Sequence, residues 1–247
     1  MTLMQRPAIR FRLAGALLLI VTLLTMAVIG QRMPVLLVIF GLCLTALVMP
    51  RFRWPMVVAL LALVASVAAA SVVSPETYYT LVTEFLQRME DFWSGNYALL
   101  YQRAIVMVQA HPLIGLGFDG FRDNCYDPRY MRILSWLPVT DIYELYTCSI
   151  HPHNYWLQIA TDSGLVGVAL FIALSVTWLL RIGRAMVPNG RPIQVALFVS
   201  LGVALWPIAS TTALFTLPNA GWLFLLIGWG LAEQNPSDTA TDPDRQG

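Results

Sequence analysis

The chain contains no lysine, and all 15 of its cationic side chains are arginines. That excludes Schiff-base chemistry on a lysine amine and leaves guanidinium groups as the only permanent cations. Charge of either sign is scarce, at 12% of 247 residues, and the net charge is +1. Histidine is limited to His111, His151 and His153, and cysteine to Cys43, Cys125 and Cys148. No H-E-x-x-H or paired Cys/His spacing is present, so neither a catalytic metal nor a cofactor is expected. No G-x-S-x-G elbow exists either, which removes the main support for a hydrolytic triad. Nothing points to nucleic acid as a partner.

What is abundant is apolar surface. Hydrophobic residues make up 57% of the chain and its mean hydropathy is +0.66, values that exclude an ordinary soluble domain. The expected fold class is all-α, a polytopic membrane protein with about six transmembrane helices. The apolar runs are Leu13–Ile29, Pro34–Met49, Pro55–Val73, Tyr155–Leu180, Pro192–Leu214 and Asn219–Ala232. Leu13–Ile29 runs on into Gln31, Arg32 and a further apolar span, so it reads as a first membrane helix rather than a cleaved signal.

Arginine placement sets the orientation. Arg6, Arg10 and Arg12, then Arg51 and Arg53, then Arg181, Arg184 and Arg191 lie in connections without acids, which belong on the cytoplasmic side. The stretch Ser74–Pro152 holds five arginines against nine acids and falls outside by alternation. The expected organisation is therefore three helices over residues 1–73, a periplasmic loop domain over 74–152, three helices over 153–233, and a disordered tail over 234–247. Both termini are expected in the cytoplasm of a bacterial inner membrane. Arg32 breaks the pattern, since it lies in a short outer connection. It is either an interfacial side chain reaching to headgroups or part of an anion site.

The outer segment is too long for a simple loop and rich in aromatics. Thr83–Trp93 suits an amphipathic surface helix. Asn96–Ala110 is a second helical candidate, with Leu100, Ala104, Met107 and Val108 on one face and Arg103 within it. Leu113-Ile114-Gly115-Leu116-Gly117 reads as a tight turn with glycines at positive φ rather than a nucleotide fingerprint. Cys125 and Cys148 form a disulfide if the segment faces an oxidising compartment, and otherwise remain free thiols. Cys43, inside an apolar run, reads as a small packing residue.

The most informative stretch is Ile150–Gly167, I-H-P-H-N-Y-W-L-Q-I-A-T-D-S-G-L-V-G. Pro152 suits the first turn of a helix. At about 100° per residue, His153, Leu157, Ala160, Gly164, Gly167 and Phe171 fall on one stripe, so the imidazole is expected to share a face with small residues that admit a neighbouring helix. His151, two residues before it, would then point elsewhere. Asp162, on the opposite face, is expected to cap or pair with another helix. Arginines and a histidine at an outer membrane face suit group transfer from a lipid pyrophosphate to an alcohol: guanidinium forks hold phosphate oxygens, and imidazole accepts a hydroxyl proton. A polar helix cap is the plainer alternative for the histidines.

His153-Asn154, nine residues, then Gly164-x-x-Gly167 is similar to the H-N-x9-G-x-x-G signature of the bacterial O-antigen ligase and O-antigen polymerase superfamily. Arg103 with His111-Pro112-Leu113-Ile114-Gly115-Leu116-Gly117 and Phe121 resembles that family's R…hPl-x-G-x-G…F segment, and Gly30-Gln31-Arg32 resembles its G-x-R element. The resemblance covers about Gly30 to Gly230. It implies a metal-independent, inverting glycosyltransferase that moves a glycan from undecaprenyl pyrophosphate to lipid A core. Relatives instead polymerise repeat units or glycosylate proteins. Carried onto this sequence, His153 is the base, Arg32 and Arg103 bind the pyrophosphate, and His151, Asn154, Gly164 and Gly167 support the site. The expected partners are the lipid-linked glycan donor, the glycan acceptor and membrane lipids. Family members usually have about twice as many membrane helices, so the chain is expected to match the C-terminal half. A non-catalytic lipid-glycan-binding subunit is the alternative from another class, with a transporter third.

Overall fold

The computed structural model describes residues 18, 21, 22, 25, 32–50, 53–84, 86–87, 96–132, 148–184, 191–208 and 212–233. Every regular element among them is helical. The chain divides into two compact units, Met1–Glu90 and Asp91–Gly247. Most of the expected first span, Leu13–Ile29, the latter half of Thr83–Trp93, and the tail 234–247 lie outside the described residues.

In the first unit, α1 (Arg32–Val48) and α2 (Arg53–Val73) form a hairpin. Leu42, Ala59 and Leu63 are buried between them, flanked by Val35, Ile39, Leu60 and Val67. Hydroxyls within these apolar helices bond their own preceding turn, as Thr45 Oγ1 does to the Gly41 carbonyl (2.7 Å) and Ser66 Oγ to that of Ala62 (2.7 Å). Cys43 is exposed on α1 rather than packed, contrary to the sequence expectation. A short helix, α3 (Pro75–Tyr78), continues into one wide turn over Tyr79–Thr83.

The second unit contains α4 (Asn96–Ala110), α5 (Gly120–Asn124), a tight turn at Pro128–Tyr130, α6 (Tyr155–Arg184), α7 (Pro192–Ala204) and α8 (Leu217–Ala232). By length and composition α6 is the one described helix able to cross a membrane; α7 and α8 are shorter and apolar. Two cores form. Leu100, Ala104, Val106 and Met107 of α4 pack on Phe121, Cys125 and Tyr130. Ile159 and Ile182 of α6 pack with Leu201, Leu205, Leu214, Leu223 and Ile227.

Helix α7 stops at Ala204, ten residues before the end of its apolar run, because Pro207 cannot donate to a helical carbonyl and disfavours helix at Trp206. The connection that follows is tied down by α6. Trp156 Nε1 donates to the Leu205 carbonyl (3.2 Å), and Gln158 Oε1 accepts from the Leu214 amide (2.8 Å). At the far end, Arg191 Nη2 bonds Glu233 Oε2 (2.5 Å) and Gln194 Nε2 donates to the Glu233 carbonyl (2.9 Å), clasping the start of α7 to the end of α8.

Candidate active site

Helix α6 is broken at Gly164, whose φ of 64° and ψ of −165° lie in a region reserved for glycine. A break in a helix leaves amides and carbonyls without their usual partners, and the segment 112–117 supplies them. The Leu116 amide donates to the Thr161 carbonyl (2.8 Å) and the Gly117 amide to that of Asp162 (3.0 Å). In return, the Leu165 amide donates to the Pro112 carbonyl (2.7 Å) and the Val166 amide to that of Leu113 (3.4 Å).

The contact is backbone to backbone and leaves no room for side chains. A Cβ at Gly164 would stand 2.4 Å from the Leu113 carbonyl carbon and oxygen, and one at Gly115 would stand 2.6 Å from the Thr161 oxygen. This corrects the helical-stripe expectation. Gly164 admits the turn segment 112–117 rather than a neighbouring helix. A Cβ at Gly167 would meet Ser163 of its own helix. The expected positive φ at Gly115 (69°) and Gly117 (92°) is present.

Asp162 is buried at this junction. Its carboxylate lies against the start of α5, near the Gly120 and Phe121 backbone, and Thr161 Oγ1 lies 3.4 Å from Oδ1.

The histidines precede α6 rather than riding on it, so no helical wheel applies to them. Asn154 is the cap. Its Oδ1 accepts the amides of Trp156 (2.9 Å) and Leu157 (3.0 Å), while its Nδ2 donates to the Pro207 carbonyl (2.7 Å). Pro152 is fully buried ahead of the helix rather than within its first turn. His153 has a φ of 53°, a left-handed conformation uncommon outside glycine. That bend overturns the expected divergence of the two histidines, because their ring centroids lie 4.2 Å apart at 45°. His153 Nε2 lies 3.3 Å from Ser149 Oγ, and the Tyr97 ring of α4 meets its imidazole edge-on at 5.0 Å. His151 is buried and His153 half-buried.

Arg103 is 3% exposed, and its Nη1 donates to the Cys125 carbonyl (2.9 Å) and lies 3.5 Å from Cys125 Sγ. Burial pulls its pKa below the ordinary guanidinium value, partly offset by Tyr126. Six residues separate it from Tyr97, about 9 Å along α4 and roughly 240° around it, so the two serve different faces of the helix. The described contacts thus join Tyr97, Ser149, His151 and His153, while Arg103 engages Cys125. Cys125 and Cys148 are bonded through their sulfurs, with Cα atoms 5.9 Å apart. His111 Nε2 pairs with the Tyr130 hydroxyl at 3.0 Å. Arg32 opens α1 in the first unit, and its side chain lies outside the described residues.

Tyr97 and Ser149 carried no sequence signal of their own. One aromatic among many and one serine in a polar loop become neighbours of His153 only through the turn that precedes α6.

A family model described as O-antigen ligase matches residues 16–172, which include both glycine motifs and the paired histidines. The chain belongs to the O-antigen ligase family. Over 78 residues it is 30% identical to a Rickettsia bellii (strain RML369-C) protein named "Putative polysaccharide ligase". That match covers 32% of this chain and 19% of the relative, so the chain spans a minor part of that protein's length. No solved structure matches it. Within this O-antigen ligase family member, the ribbon 112–117 and the break at Gly164 both fall inside the matched region.

Proposed function

We propose that this chain is the catalytic part of a glycosyltransferase that moves a glycan from undecaprenyl pyrophosphate to an acceptor hydroxyl, most simply by O-antigen ligation to lipid A core. In this reading six spans carry both termini in the cytoplasm of the inner membrane, residues 74–152 form the periplasmic domain, and the reaction occurs at the periplasmic face.

His153 takes the proton of the acceptor hydroxyl. The resulting oxygen attacks the anomeric carbon as the bond to the pyrophosphate oxygen breaks, with inversion and without a metal. The pyrophosphate leaves with the electron pair, its charge met by Arg103. The observation that carries the reading is the half-buried His153 imidazole, fixed by a left-handed backbone against Tyr97 and His151 at the mouth of the longest apolar helix. His151 and Asn154 support the imidazole, and Gly164 and Gly167 support the helix behind it.

His153→Ala and Arg103→Ala are each expected to abolish attached surface glycan in cells while the protein still accumulates in the membrane. Near-normal transfer by His153→Ala overturns the reading. The carbonyl and sulfur contacts of Arg103 favour a second role for it, as a clamp on Cys125. Arg103→Lys separates the two: a folded but inactive variant supports phosphate binding by the planar fork, and an unfolded one supports the clamp.

A further inference from the structure

His151 and His153 stand closer than their spacing in the chain suggests. Two residues apart on a helix they would diverge by about 200°. The buried Pro152 between them and the left-handed turn at His153 bring the ring centroids to 4.2 Å. Tyr97 faces His153 from α4, and Ser149 Oγ faces His153 Nε2 from the preceding segment. Among the described contacts, Arg103 donates to the Cys125 carbonyl and Asp162 lies against the start of α5.

We infer that His151 is a positioning residue for His153, its ring lying against that of His153 so that the pair holds one proton rather than two over an extended acidic range. The inference deepens the reading of His153 as the base. A lone imidazole is protonated, and idle as a base, below about pH 6.5. In a pair this close the first proton settles on either ring, and its charge opposes the second. Coulomb repulsion at this separation delays uptake of the second proton by about one to three pH units, the lower figure for a wet site and the upper for a drier one. Over that interval one ring of each pair is still neutral, so a population with neutral His153 persists where a single histidine would be spent. The pair titrates as a unit.

With three histidines in the chain, ring-labelled histidine resonances of the whole protein in lipid nanodiscs are resolvable. His151 and His153 are expected to titrate in two coupled steps, the second displaced by about one to three units. In His151→Asn, His153 is expected to collapse to one step, with an unchanged circular dichroism spectrum as the control for folding. A single, independent step at His153 in the wild type overturns the inference, and that measurement stands even if the variant fails to fold. Coupled titration together with full transfer by His153→Ala leaves the pair intact and removes the base assignment, so the two failures are distinguishable.

Discussion

Replacing Gly164 with alanine tests the junction between α6 and the ribbon most directly. The new Cβ would lie 2.4 Å from the carbonyl carbon and oxygen of Leu113 and 2.6 Å from the Ile114 nitrogen. These are backbone atoms, so no rotamer change relieves the clash. Holding a non-glycine residue at φ 64°, ψ −165° costs about 1–3 kcal/mol in itself. If the ribbon withdraws instead, four backbone hydrogen bonds are lost at about 1 kcal/mol each. Either route, or a mixture, gives a destabilisation of about 3 kcal/mol or more. Gly228 in α8 supplies the control, since a Cβ there meets nothing within 4 Å and the alanine is neutral or about 1 kcal/mol stabilising. Chemical unfolding of both variants in the same detergent gives the comparison, and limited proteolysis reports whether residues 112–120 have become cleavable. If Gly164→Ala unfolds within 1 kcal/mol of Gly228→Ala and its ribbon stays protected, the backbone exchange does not hold this part of the molecule together.

Asn154→Ala removes a helix cap and the bond to Pro207 together, so a loss of about 1–3 kcal/mol is expected in thermal or chemical unfolding; Asn154→Asp keeps the cap oxygen and is expected to recover part of it. Thiol labelling of denatured, unreduced protein is expected to modify Cys43 alone, and three labelled cysteines would refute the Cys125–Cys148 bond. Burial, and secondarily Tyr97, raise the Tyr101 hydroxyl above its ordinary pKa of 10.0. The folded chain therefore binds that proton more tightly than the unfolded chain. The associated stability is intact below about pH 10 and is lost as pH climbs through the raised value, so Tyr101→Phe is expected to flatten the alkaline limb of the stability profile.

Local pattern carried far in some places and misled in others. Asn96–Ala110 was legible as a helix because apolar residues recur at helical spacing, and of its expected face Leu100, Ala104 and Met107 are buried while Val108 is half-buried. The positive φ of Gly115 and Gly117 followed from turn chemistry alone. The wheel drawn through His153 failed because it assumed an unbroken helix from residue 153 to 171, whereas Asn154 caps the helix after the histidine and Gly164 interrupts it later. A glycine in an apolar run looks the same whether it admits a helix, a ribbon or nothing; the partner backbone decides, and that partner lies some fifty residues away. The end of α7 was misjudged for a related reason. Its apolar run continues past Pro207, but there the backbone is satisfied by Asn154, Trp156 and Gln158 instead of by a helix.

These tertiary bonds make the two glycine motifs one structure. The segment around Gly115 and the segment around Gly164 are separated along the chain, yet each supplies the amides and carbonyls that the other lacks. The break lets residues 155–163 leave the axis of 165–184. That first stretch carries Asn154 at its tip, bonded to the connection after α7, and the histidine pair just beyond it. A continuous helix would satisfy its own backbone and have no use for the ribbon. The position of His153 therefore depends on Gly164, eleven residues on, through geometry alone and without any contact between their side chains.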